Sequence, residues 1–261
     1  MVDNGDFIRP KVQYADLRAD ATLEAMQMMD YDAINIADGE IRFGIEALDQ
    51  FSGTYRERLI SANLISENGE LKWKPYLSRR IGALKIAFIG TVAPALLPPG
   101  KDTGGSLRAL DDEGELKRWV PRLKRDHDLV VLLSHAGWKH SISLAKVVGG
   151  IDLIIVGHDY YPHFESETVD GTTLFKCSVG GKHLGLIKWW RNGSGGAPAV
   201  TGDLIPLTDD ISVNPIFAGP EKNYEKRKRI RRSLERKREG KRGIPEQTTH
   251  GAQTPDNPEK D

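Results

Sequence analysis

The chain has 261 residues, a single cysteine, and equal numbers of basic and acidic side chains, 37 lysine plus arginine against 37 aspartate plus glutamate. That length holds one ordinary domain with a tail, and a balanced total charge proposes no polyanionic partner. One cysteine excludes a disulfide framework and a thiolate zinc cluster, and the sequence shows no transmembrane-length apolar run and no amino-terminal signal segment.

In chain order the sequence alternates elements as an α/β protein does. Apolar spacing predicts a helix over residues 17–29, followed by the buried strand Tyr31-Asp-Ala-Ile-Asn-Ile-Ala37 and a short helix starting at residues 45–48. A strand at residues 84–90 leads into a loop-prone segment, 94–105. Residues 107–125 suit a charged amphipathic helix that feeds the strand Leu129-Val-Val-Leu-Leu-Ser-His135. A helix at 141–148 stops at Gly149-Gly150 before the strand Ile151-Asp-Leu-Ile-Ile-Val-Gly-His158. Beyond it, 172–179, 184–190 and 200–207 read as strands joined by short Gly turns, which pair antiparallel. Cys177 lies in such a strand and reads as a small buried hydrophobe.

The runs ending at His135 and His158 are aliphatic on both faces and too short for buried helices, as strands of a covered sheet are. Their carboxyl ends are where open α/β sheets place ligands, and neutral imidazole is the commonest protein metal ligand. Two strand-end histidines on neighbouring strands therefore predict a shared metal site. At the other end of the chain, Gly5-Asp6 follows Met1-Val-Asp-Asn with no preceding strand, and such a turn can present a carboxylate at a sheet edge.

Charge is distributed unevenly. Residues 221–242 are dominated by lysine and arginine, and residues after Gly243 have too little apolar content to order themselves. The basic stretch reads as a solvated charged tail, disordered or helical, because Glu225, Glu235 and Glu239 interrupt it and Ile230 and Leu234 make too narrow an apolar face. Without aromatic interleaving beyond Tyr224 it offers no stacking platform, and nucleic acid is not the expected partner.

The order Asp3-Asn-Gly-Asp6, then 31–44, Ser61-Ala-Asn63, Ile86-Ala-Phe-Ile-Gly90, Ser134-His135, Ile154-Ile-Val-Gly-His158 and Val179-Gly-Gly-Lys-His-Leu-Gly185 resembles the calcineurin-like metallophosphoesterases. More narrowly, it is similar to the catalytic domain of the 5′-nucleotidase/UDP-sugar hydrolase family, over residues 1–215. The resemblance implies a four-layer α/β/β/α sandwich, with residues 216–261 as a basic tail. It also implies phosphoester hydrolysis at two divalent cations roughly 3.5 to 4 Å apart, of the Zn, Mn or Fe class.

Carried over residue by residue, Asp6 takes the place of the family's bridging aspartate and Asp38 that of the asparagine in Gly-Asn-His-Glu. His135 and His158 match the two family histidines, which completes one metal shell. The second shell is expected to be incomplete. Its Asp-x-His pair belongs to a first strand, upstream of Gly5-Asp6, that is missing from this chain. Its last ligand position holds Tyr160, with His163 nearby. The family's general-acid His-Asp dyad corresponds to Gly39 and Arg42, so no catalytic acid is assigned. Arg42 and His183 are candidate contacts for a phosphorylated small molecule, and His140 reads as a surface residue.

Three readings stay open: a divergent hydrolase whose true start lies further upstream, a non-catalytic relative that binds one metal or a phosphorylated ligand, and strand ends whose polar groups are structural. The family's usual second domain is not found after Pro206, so nucleotide specificity does not carry over. The family is mostly periplasmic or extracellular, yet the sequence fixes neither compartment nor oligomeric state.

Overall fold

Strands covered on both faces decide the architecture. The computed structural model describes residues 1–9, 11–44, 56–97, 107–159, 165–176, 180–191 and 198–242. A six-stranded sheet is built from β5 (Tyr76–Ile81), β6 (Leu84–Val92), β8 (Leu129–His135), β9 (Leu153–Gly157), β10 (Glu165–Val169) and β11 (Thr172–Lys176), in the order β10-β11-β9-β8-β6-β5. Its four central strands run parallel, while β5 and β10 close the edges antiparallel. Every residue of β8 is buried, which explains its unbroken aliphatic run.

The two faces of that sheet pack differently. Val130 and Leu132 turn towards α3 (Asp112–Asp126) and α4 (Trp138–Val147), meeting Leu116, Val120 and Leu144. Val131 and Leu133, one residue out of phase, face a second layer that contributes Ala33, Ile60, Ile187 and Trp189. That layer holds β1 (Val2–Asp3), β2 (Ala33–Asn35) and β3 (Leu59–Ile60), paired parallel in that order, together with the hairpin of β12 (His183–Arg191) and β13 (Pro198–Pro206). Its outer face is covered by α1 (Ala15–Met28) and α2 (Asp38–Phe43) through Ala19, Met26 and Ile41 against Ile34 and Ile36. The layers are therefore α/β/β/α, as expected.

Several sequence expectations change. Gly5-Asp6, expected without a strand before it, follows β1, whose Val2 and Asp3 pair with Ala33 and Ile34. The helix expected over 107–125 begins only at Asp112, where the Asp111 side chain accepts the Gly114 N–H at 2.8 Å as an N-cap. Leu107–Ala109 forms strand β7 instead, antiparallel to β4 (Leu64–Ser66). Asp38–Phe43, to which the sequence assigned no element, is a helix, and its Glu40 carboxylate reaches back to accept the Ala37 N–H at 3.0 Å. The short helix expected at 45–48, Tyr160, His163 and Cys177 lie outside the described residues.

The basic stretch forms α5 (Ala218–Arg242), and it is not simply solvated. Asp16, Asp20 and Glu24 line one face of α1 at helical spacing and receive Arg231, Arg227 and Asn223 from α5. Tyr14 adds a hydrogen bond from its hydroxyl to Glu235 at 3.0 Å. No described helix is long and apolar enough to cross a membrane.

Candidate metal centre

The loop after β1, the start of α2, and the ends of β8 and β9 bring four donors together. One ligand atom from each of Asp6, Asp38, His135 and His158 lies within 4.8 Å of all the others. His135 Nε2 stands 3.2 Å from His158 Nδ1, 3.3 Å from Asp38 Oδ1 and 3.4 Å from Asp6 Oδ2. Donors about 2.0–2.2 Å from a tetrahedral ion are separated by roughly 3.4 Å, so the spacing suits a small divalent cation. Asp38 Oδ1 is buried with no hydrogen-bond partner, and that orphaned acceptor faces the two imidazoles. The residues present fit a metal ion.

Each donor is fixed by its own support. His135 is 2% exposed, and its Nδ1 donates to the Asn4 carbonyl at 2.9 Å, leaving Nε2 aimed at the site. His158 and Asp6 both adopt positive φ, 69° and 62°, a conformation rare for residues with side chains and here imposed by the turns after β9 and β1. Asp6 Oδ1 accepts the Gly39 N–H at 2.8 Å. The fully buried Glu40 carboxylate ties down the same loop by accepting the N–H groups of Asp6 and Ile8, each at 2.9 Å. Asn4 anchors its end of the loop by donating to the Ser134 and Ile155 carbonyls at 3.0 and 2.7 Å.

The electrostatics follow from this crowding. Burial alone would raise the Asp38 carboxyl, but His135, His158 and Arg42 outweigh it and hold the group well below the usual carboxylate range. Burial alone would lower His135, but Asp38 and Asp6 push it up to about 10. Burial and the charge of Asp6 push Glu40 up to about 8 against the pull of its three amide donors.

The remaining expected site residues have other surroundings. Arg42 Nε contacts Asp38 Oδ2 at 3.1 Å and its Nη2 donates to the Leu96 carbonyl at 2.9 Å, so the guanidinium braces a candidate ligand. His183 opens β12 opposite Pro206, outside the four-donor group. At Gly39 a Cβ would come within 2.6 Å of Asp6 Oδ1 and 2.7 Å of the Ile8 carbonyl, so the glycine is required by the approach of the Asp6 loop. Sequence reasoning missed Asn4 and Glu40. Their only signal is chemical: polar residues beside a strand-end turn, with backbone groups close by to satisfy.

It also missed a groove beside the centre. A cavity of about 520 Å³ is lined by Ala136, Gly137, Trp138, Lys139, His140, Ser143, His158 and Asp159. Asp159 forms part of its floor by accepting the Trp138 N–H at 2.8 Å. His140, expected at an ordinary surface, contacts the buried Asp112 through Nε2 at 2.8 Å.

No protein-family model matches the chain. Among curated proteins, the trifunctional nucleotide phosphoesterase YfkN of Bacillus subtilis (strain 168) is 25% identical over 235 residues, covering 72% of this chain and 16% of YfkN. The 2′,3′-cyclic-nucleotide 2′-phosphodiesterase/3′-nucleotidase of Yersinia enterocolitica is 26% identical over 262 residues, covering 84% of this chain and 40% of that protein. The chain thus spans less than half the length of either relative. Among solved structures, the sulfate thiohydrolase SoxB of Thermus thermophilus superposes with a TM-score of 0.75 at 23% identity, over 85% of this chain and 42% of SoxB. A 5′-nucleotidase precursor, also of Thermus thermophilus, gives a TM-score of 0.73 at 21% identity, over 88% of this chain and 49% of that one. These likenesses in sequence support a calcineurin-like metallophosphoesterase domain of the 5′-nucleotidase kind, and the fold is the one those solved structures share.

Proposed function

We propose that residues 1–215 form a divalent-metal-dependent phosphoester hydrolase domain of the nucleotidase type, which holds one cation through Asp6, Asp38, His135 and His158. The observation that carries this reading is the convergence of four donor atoms, one of them a buried acceptor without a hydrogen-bond partner. When bound, a divalent cation supplies positive charge for phosphoryl oxygens and lowers the pKa of water. The chain's own contribution is orientation: Asn4 sets the His135 tautomer, Arg42 holds Asp38, and Gly39 and Glu40 hold the Asp6 loop. The substrate class is a phosphorylated small molecule, by analogy with the nucleotide-directed names of the relatives.

A second reading, a metal- or phosphate-binding relative without turnover, is favoured by one feature. Gly39 has no proton to give and Arg42 is committed to Asp38 and Leu96, so neither residue supplies an acid for the leaving group. The two readings separate in one experiment. The purified chain is assayed for bound Zn, Mn and Fe by mass spectrometry, then for phosphate release from nucleoside monophosphates after loading with each ion. Bound metal with turnover supports the hydrolase; bound metal without turnover supports the binding relative; no metal overturns the hydrolase and the metal-binding form of the second reading.

A further inference from the structure

His140 and Asp112 form a dyad beside the metal centre that no part of the reading above uses. His140 is the third residue of α4 and Asp112 the first of α3, and their contact is 2.8 Å between Nε2 and Oδ2. Asp112 is 2% exposed, whereas the His140 side chain is 44% exposed. A buried carboxylate thus orients an imidazole that is open to solvent or ligand on its exposed side. The imidazole lines the same cavity as His158, one of the four candidate metal ligands. Lys139 lines it as well, adding a positive charge to the wall.

We propose that His140 is the general acid for the leaving group and that Asp112 is its positioning residue. The inference rests on the hydrolase reading, because only a phosphoester seated at the centre would extend its leaving group into this groove. In the step, water adds to phosphorus as the bond from phosphorus to the ester oxygen breaks. The departing oxygen takes the proton of the His140 imidazolium, and the proton lost by the water passes to solvent and later restores the imidazolium. The Asp112 carboxylate stabilises the charged ring before transfer and fixes which nitrogen faces the groove.

A purely structural role, in which the pair only ties α4 to α3, predicts different behaviour, and leaving-group dependence separates the two. An alkyl phosphate needs its leaving oxygen protonated, whereas p-nitrophenyl phosphate does not. His140→Gln keeps a hydrogen-bond donor for Asp112 but carries no transferable proton. It should lower kcat on an alkyl phosphate by about 100-fold or more while changing p-nitrophenyl phosphate turnover by less than about threefold. His140→Gln should also flatten the alkaline limb of the alkyl-phosphate pH profile. Inorganic phosphate added to the metal-loaded wild type should shift the His140 imidazole resonances. Equal rates for both esters in wild type and variant, or equal losses on both, overturn the dyad and leave the hydrolase reading standing. A metal-loaded wild type that turns over neither ester removes the hydrolase reading and this inference together.

Discussion

His135 Nδ1 donates to the Asn4 carbonyl oxygen at 2.9 Å, and this one bond joins the last residue of β8 to the loop that carries Asp6. It turns Nε2 towards Asp38, Asp6 and His158, the nitrogen that a metal would take once its proton is displaced. Outer hydrogen bonds of this type orient metal-binding histidines, and their loss typically lowers metal affinity by about 10- to 100-fold. Replacing the inner ligands costs more. His158→Ala should abolish stoichiometric metal in the purified protein, measured by mass spectrometry after dialysis, and an unchanged metal content would remove His158 from the shell.

Cation binding should be coupled to proton release. In the metal-free protein burial is outweighed by the neighbouring carboxylates, which raise His135 from 6.5 to about 10, so at neutral pH the ring carries a proton that a metal must displace. Affinity for Zn should therefore rise with pH, and the heat of binding should depend on the ionisation enthalpy of the buffer. Identical heats in phosphate and Tris would contradict the assignment. The sign for stability is opposite. A raised histidine pKa stabilises the metal-free fold fully below pH 6.5, and that contribution fades as the pH climbs towards about 10.

Glu40 offers a test that involves no ligand. Its carboxylate accepts three backbone N–H groups, from Ala37, Asp6 and Ile8, while fully buried. In Glu40→Gln an NH2 group would face at least one of those donors. The expected cost is about 1–3 kcal/mol, read as a lower denaturation midpoint, with weaker metal binding because the Asp6 loop loosens. The raised pKa adds a pH signature. Since Glu40 keeps its proton to about 8 when folded and to 4.5 when unfolded, its contribution is full below 4.5 and declines up to about 8. A variant with wild-type stability and slope against pH would show that the carboxylate is not the tie described.

Gly39 cannot be exchanged for the family's histidine without moving the site. Any Cβ there meets Asp6 Oδ1 and the Ile8 carbonyl well inside contact distance. Gly39→His should therefore weaken metal binding and lower the melting temperature. An increase in turnover would mean that the Asp6 loop can retreat to make room for the side chain.

The contact between α1 and α5 should be electrostatic and salt-sensitive. Arg231 pairs with Asp16 at 2.7 Å and Arg227 pairs with Asp20, all four side chains being partly exposed. Exposed pairs are typically worth well under about 1 kcal/mol each. Arg227→Ala with Arg231→Ala should release α5 to protease at moderate salt while leaving the melting of the sandwich nearly unchanged. Equal protection in the double variant would point to the Tyr14–Glu235 hydrogen bond and the Arg18 guanidinium over the Tyr224 ring as the stronger ties.

The sequence by itself determined the layered α/β class and pointed to the four residues that the fold gathers. Runs such as 129–133 are aliphatic at every position because both faces of the strand are covered, and this signal is local. His135 and His158 were legible as a pair because each terminates such a run, and Asp6 and Asp38 were legible through the ordered motifs around them. Only the tertiary structure decided what supports those residues. Asn4 meets Ser134 and Ile155 across more than a hundred residues of chain, Glu40 meets Asp6 and Ile8, and Asp112 meets His140. No spacing rule encodes such contacts, because hydrogen bonds between separate loops depend on how sheets and helices stack, not on the period of any one element. The same holds for α1 and α5: one was legible as an apolar-spaced helix and the other as a solvated charged tail, and their complementarity existed only once the chain had placed them side by side.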